Sequence, residues 1–241
     1  MKERSRSFDQ AAALYAAARP DYPVAALDWL LRPDARRVLD LGAGTGKLTR
    51  QLVDRGLDVV AVEPSPQMCA ELAAYAPEAV RYEGGAEAIP LPDGDVDAVL
   101  VAQAFHWFDQ DRALSEIVRV LRPGGPLGLL WNLADDTEPW VDALAGSTQA
   151  IARSSDRGAD VVVDGRFTDV ATAEFSHGQQ LDADALRRLV QTHSAYLTRD
   201  EEGRADVIRR IDDLVSTHPD LAGREEFVLP YVTRGWRATR R

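Results

Sequence analysis

One cysteine, Cys69, occurs in 241 residues, so no intramolecular disulfide can staple the chain. It stands beside Met68 in an apolar helical pattern, where a buried thiol is expected. No apolar run approaches the ~18 residues of a membrane-spanning helix, which excludes membrane proteins of that kind. Histidine is scarce: His177, His193 and His218 show no ligand spacing with one another or with Cys69, and no metal site is expected. Clustered positive charge is missing as well. With 28 Lys and Arg against 39 Asp and Glu, the net charge is −11, and nucleic acid is not an expected partner. The one basic cluster is the end of the chain, Arg234, Arg237, Arg240 and Arg241, which reads as a solvated tail. The charged start (Lys2, Glu3, Arg4, Arg6) is followed by no apolar stretch, so a secretory leader is not expected either. Without repeats or low-complexity tracts, the pattern is that of a soluble, cytoplasmic α/β protein with no membrane partner.

What is present centres on Val38-Leu39-Asp40-Leu41-Gly42-Ala43-Gly44-Thr45-Gly46-Lys47. An apolar strand ends in an acid, and a loop with glycine at every second position opens a helix. Such a loop lets backbone N–H groups approach a ligand at the positive end of that helix. A phosphate-binding Walker loop needs four residues between its first glycine and Gly-Lys, then Ser or Thr. Leu41 stands where that glycine would be and Leu48 follows Lys47, so this use fails. A dinucleotide fingerprint needs glycine where Lys47 stands, which disfavours a close pyrophosphate contact and an NAD-dependent oxidoreductase. An acid-Leu-Gly-x-Gly-x-Gly pattern and a ligand-free turn remain.

From residue 36 strands and helices alternate. Expected strands are 37–41, 58–63, 80–83, 96–102 and 127–132, with helices at 47–55, 66–75 and 112–121. This alternation predicts a doubly wound, mostly parallel sheet in one domain spanning 1–241. A helix over 8–18 and a second near 24–31 precede it as a helical lid (1–34), and 35–134 form the ligand-binding core. Beyond it, a strand is expected at 171–181, helices at 182–193 and 200–216, and a last antiparallel strand at 226–234. Pro230 there predicts a bulge. Segments 135–170 and 182–217 are expected to cover a substrate.

Ligands of open α/β sheets lie outside the carboxyl ends of the strands. Strand one ends in Asp40 and the glycine loop. Strand two ends in Glu63, able to accept two ribose hydroxyls or to cap the next helix. Glu87 follows strand three, where loop backbone and carboxylate can meet an adenine edge. Gln103-Ala104-Phe105-His106-Trp107-Phe108 follows strand four, and Trp131-Asn132 strand five. His106 is a candidate base or a packed structural histidine. Phe105, Trp107, Phe108 and Trp131 are candidate walls of an apolar pocket, and Phe105 can equally be core. Tyr15, Arg19 and Tyr22 share one helical face, and Arg19 can clamp a carboxylate.

The ordered set Asp40–Gly46, Glu63-Pro64-Ser65-Pro66-Gln67-Met68, Gly85-Ala86-Glu87 with Ile89-Pro90, and Arg122-Pro123-Gly124-Gly125 resembles class I S-adenosylmethionine (SAM) dependent methyltransferases. It is most similar to the ubiquinone/menaquinone-biosynthesis-like group. Arg19-Pro20-Asp21-Tyr22-Pro23, Ala104–Phe108, Trp131-Asn132 and Leu229–Thr233 resemble small-molecule enzymes related to trans-aconitate methyltransferases. The resemblance implies a Rossmann-like seven-stranded sheet and SAM as donor, leaving S-adenosyl-L-homocysteine. It implies cofactor contacts from Tyr15, Arg19, Asp40, Gly42, Ala43, Gly44, Glu63, Pro64, Met68, Ala86, Glu87, Gln103 and Ala104. Substrate residues vary across that family and no substrate carries over; from the residues themselves, His106 is the candidate catalytic group, and Tyr22, Phe105, Trp107, Trp131 and Asn132 are the candidates to face the acceptor. The expected partner is a small-molecule acceptor methylated at oxygen or carbon, a carboxylate included, by a monomer or homodimer. A SAM-binding protein of this fold with a regulatory role is the alternative.

Overall fold

The computed structural model describes residues 18–149, 151–155, 161 and 165–241. The helix expected over 8–18, apart from Ala18, and Tyr15 within it lie outside the described residues. The described elements run α1 (Val24–Leu30), β1 (Arg37–Leu41), α2 (Lys47–Asp54), β2 (Asp58–Glu63), α3 (Pro66–Tyr75), β3 (Val80–Glu83) and β4 (Ala98–Ala102). After a 3-10 turn at Phe105–Trp107 come α4 (Gln110–Val120), β5 (Pro126–Ala134), α5 (Pro139–Thr148) and β6 (Phe167–Leu181). The last elements are α6 (Ala183–Gln191), α7 (Ser194–Leu197), α8 (Glu201–Thr217) and β7 (Phe227–Arg240).

The seven strands form one sheet in the order β3-β2-β1-β4-β5-β7-β6. β1 pairs in parallel with β2 and β4, β2 with β3, and β4 with β5, while β7 runs antiparallel between β5 and β6. Parallel strands need both faces covered, and their continuous apolar runs supply both faces. Val38, Leu100 and Leu130 meet α1 and α2 through Leu27, Leu30, Leu48 and Leu52 on one side. Leu39, Val99, Leu127 and Leu129 meet α4 through Leu114 and Ile117 on the other. A third cluster joins α5, α6 and α8 to the strand ends through Trp140, Leu144, Leu186, Ile211, Phe227 and Leu229. Among the described residues no helix is long and apolar enough to cross a membrane.

Three local expectations change. The basic end is not a solvated tail, because β7 continues to Arg240. Arg237 lies over the Trp29 ring at 4.4 Å and donates to the Trp29 carbonyl at 2.6 Å, and Arg234 pairs with Glu174 at 2.9 Å. Pro230 makes no bulge: it faces Gly178 in continuous register, and the shift in this pair lies between Thr168 and Ala171 instead. The Pro230 carbonyl accepts from Asp135 N on the β5 side, one residue past the last ladder pair Ala134 and Tyr231, so the missing N–H falls at the end of that ladder. Cys69 is only partly buried, its thiol directed at the Glu63 carbonyl at 3.3 Å.

Candidate functional site

Asp40 is 1% exposed near the end of β1. Its Oδ2 accepts from the Thr49 hydroxyl at 2.6 Å, whereas Oδ1 has no partner among the described residues. Burial pushes the carboxyl up to about 7, with Glu63 adding to the rise and Thr49 opposing it. The buried Thr45 hydroxyl in the same loop also has no partner there. Two orphaned polar atoms thus lie in and beneath the glycine loop.

The loop folds over β2, with Gly42 N and Ala43 N both donating to the Val62 carbonyl at 2.8 and 3.2 Å. Gly42 has φ +72°, and a Cβ there would come within 2.7 Å of Ala104 Cβ, so no larger residue fits. This contact joins the loop after β1 to the loop after β4. Glu63 Oε2 accepts from Gly44 N at 2.9 Å and its Oε1 from Ser65 N at 2.9 Å. The carboxylate therefore ties the glycine loop to the start of α3, and each oxygen keeps a further lone pair. Pro64 and Met68 are exposed on the lip beside it.

Gln103 holds a left-handed φ of +58°, which a non-glycine residue adopts at a cost of ~1–3 kcal/mol. Its N donates to Leu130 O at 2.9 Å and its Nε2 to Asn132 O at 3.0 Å, which hold it there. His106 is exposed, with its ring 4.7 Å from that of Trp107, and partial desolvation lowers its pKa. Trp107 is 74% exposed beside it. Trp131 is partly buried against the core.

Phe105 is corrected from pocket wall to core. It is fully buried and packs edge-on against Phe108. Ala86 is buried, and Glu87 accepts from Asp109 N at 2.9 Å, tying its loop to the start of α4. Tyr22 is buried too, its backbone held on both sides by Gln51 at 3.0 and 2.8 Å. Arg19 donates to the Thr192 carbonyl at 3.3 Å. With Tyr22, Lys47, His177 and Gln179 it lines a cavity of about 340 Å³.

The structure thus gathers Asp40, Gly42–Gly44, Glu63, Gln103 and Ala104 around one loop. Sequence reasoning missed Thr49, Gln51, the Lys47–Asp21 ion pair at 2.9 Å, and a side-chain network through Asn132, Thr233 and His177. Only strand register brings these last three together, and no local spacing signals it. Among the described residues no group of ligand side chains is arranged for a metal.

An orphaned acid beneath a glycine loop, with a second acid at the next strand end, is an acceptor set that suits a nucleoside with hydroxyl and amine groups. Residues 39–129 match the family described as methyltransferase domain. A methyltransferase of Mycobacterium tuberculosis is 48% identical over 239 residues, covering 99% of this chain and 97% of the relative. The structure of a type II methyltransferase from Anaeromyxobacter dehalogenans superposes with a TM-score of 0.70 at 26% identity, covering 92% of this chain and 97% of that one. The fold also matches a Haemonchus contortus N-methyltransferase in complex with S-adenosylhomocysteine, with a TM-score of 0.55 at 15% identity, covering 96% of this chain and 57% of that one. The chain belongs to the class I SAM-dependent methyltransferases.

Proposed function

We propose that the enzyme methylates a small-molecule acceptor at an oxygen or carbon atom, a carboxylate among the candidates. The observation that carries the SAM part of this reading is Glu63, which accepts from Gly44 N and Ser65 N and so joins the glycine loop to β2, together with Asp40 Oδ1, which has no partner among the described residues. Glu63 accepts the ribose hydroxyls, and Gly42, Ala43 and Gly44 offer backbone to the methionine part. Met68 and Pro64 flank the adenine, with the Ala86-Glu87 backbone at its amino edge. Gln103 and Ala104 face the methionine amine, and Arg19 and Tyr15 are assigned to its carboxylate. For Arg19 this requires a swing from the Thr192 carbonyl it now meets.

When bound, SAM supplies a sulfonium-activated methyl group, so the protein's task is alignment, with ~7–11 kcal/mol available from proximity and orientation. His106, Trp107 and Trp131 meet the acceptor at the mouth, with Tyr22 and Asn132 behind them. Proton removal is needed for a hydroxyl or an acidic C–H and not for a carboxylate. Residues 35–134 are assigned to SAM, and the segments 1–34, 135–170 and 182–217 to the acceptor. Incubation with methyl-deuterated SAM and a metabolite extract tests the assignment. The expected result is one labelled small molecule by mass spectrometry. Label appearing only in protein or nucleic acid would refute it.

A further inference from the structure

A cavity opens between residues 19–23 and β6, with Lys47 at one side and His177 at the other. The imidazole of His177 stacks on Tyr231 of β7, centroids 5.4 Å apart and planes 21° apart. Its Nε2 is 2.9 Å from the Thr233 hydroxyl, and that hydroxyl is 2.6 Å from Asn132 Oδ1. Asn132 Nδ2 in turn donates to the Asp21 carbonyl at 3.2 Å.

The proton positions follow from the ends of this chain. A carbonyl only accepts, so the Asn132 nitrogen must face Asp21 and its oxygen must face Thr233. Thr233 has one hydroxyl proton, and Asn132 Oδ1 takes it. Towards His177 the hydroxyl can therefore only accept, and Nε2 must be the donor. In the neutral ring the lone pair is then left on Nδ1. Thr233 is fully buried, so water does not compete for these bonds. His106 has no such arrangement: its ring touches Trp107 and no side chain among the described residues fixes its tautomer.

We propose that this cavity receives a protic group of the methyl acceptor, an O–H or an acidic C–H, and that His177 Nδ1 accepts first its hydrogen bond and then its proton. The inference rests on the methyltransferase reading above. The X–H bond breaks as the new X–CH₃ bond forms. Its proton passes to Nδ1, and the electron pair of the sulfonium C–S bond returns to sulfur. Burial lowers the ring's pKa and keeps it neutral and able to accept a proton, Asp21 from the segment over the cavity partly offsets this and favours the imidazolium once formed, and Tyr231 stacks uncharged on the ring. Lys47, paired with Asp21, lines the same cavity and favours an acceptor that carries negative charge.

Long-range ¹H–¹⁵N spectra of the full-length protein, labelled with ¹⁵N-histidine and recorded above the ring's titration, read the tautomer directly. His177 is expected wholly as the Nε2–H form. Thr233→Val is expected to convert it to a mixture while the His106 signals stay in place. An Nδ1–H ring in the wild type, or an unchanged tautomer in Thr233→Val, would overturn the inference. Turnover with SAM and a set of phenols and aliphatic hydroxy acids provides the second readout. His177→Gln should lower kcat by about 10²-fold or more and remove the acid limb of the pH profile, whereas His106→Gln should raise KM and keep that limb. Equal kcat in the wild type and His177→Gln would overturn the proposal. Calorimetry separates it from the parent reading: His177→Gln binds SAM like the wild type, and failure of the wild type to bind SAM would refute the methyltransferase assignment whatever the tautomer.

Discussion

Glu63 accepts the Gly44 N–H at 2.9 Å, so the carboxylate ending β2 and the glycine loop after β1 are one unit. Glu63→Ala removes the proposed ribose acceptor and releases the loop together. Its SAM affinity should fall tenfold or more by calorimetry, with Glu63→Gln intermediate. Unchanged affinity in Glu63→Ala would show that the ribose is held elsewhere.

Gly42 and Ala104 meet at a contact that admits no side chain on Gly42. Gly42→Ala incurs both the left-handed φ and the clash, for a loss of ~1–3 kcal/mol in urea unfolding and weaker SAM binding. A variant as stable as the wild type would mean that the β4 loop yields freely.

Asp40 makes the stability of the ligand-free enzyme depend on pH. Its folded pKa of about 7 lies above the ordinary 3.8, so the folded state holds a proton that the unfolded chain has lost between those values. Stability therefore falls as pH rises through that window, by on the order of 4 kcal/mol from this group. Urea midpoints of Asp40→Asn against wild type should converge near pH 4 and separate in favour of the variant towards pH 7. A constant difference would refute the shift.

His193 acts in the opposite direction. Burial, with the Arg19 charge adding to it, holds its pKa down at about 3 against an ordinary 6.5. Its contribution is whole above 6.5 and is lost as pH falls towards 3, on the order of 5 kcal/mol in all. His193→Asn should flatten the acid side of the stability curve, and an unaltered acid side would contradict this placement.

Arg237 links the end of the chain to α1 through the ring and carbonyl of Trp29. Arg237→Ala should cost ~2 kcal/mol in thermal or urea unfolding, the sum of a stacked cation and a charge-assisted hydrogen bond. A loss near zero would restore the solvated tail.

The parallel half of the sheet was legible because β1, β2, β4 and β5 are uninterrupted apolar runs punctuated by glycine, proline and acids. Several of their bounds were read to the residue. The second half was less so. Alternation in β6 and β7 signals strands but not which residues oppose each other, and Arg234, Arg237 and Arg240 look solvated until β5 and β6 flank them. Site residues on one loop, Asp40 to Gly44, could be read directly. Phe105 could not be told from a pocket wall, because an aromatic next to His106 has the same letter code whether it turns inward or outward. His177, Thr233 and Asn132 lie up to 101 positions apart and become neighbours only through the antiparallel register.

Titration calorimetry of the purified enzyme with SAM, S-adenosylhomocysteine and NAD tests the central claim most directly. One equivalent each of SAM and S-adenosylhomocysteine should bind, competing with each other and weakened in Glu63→Ala, while NAD gives no heat. Binding of NAD without a response to either SAM species would contradict the account.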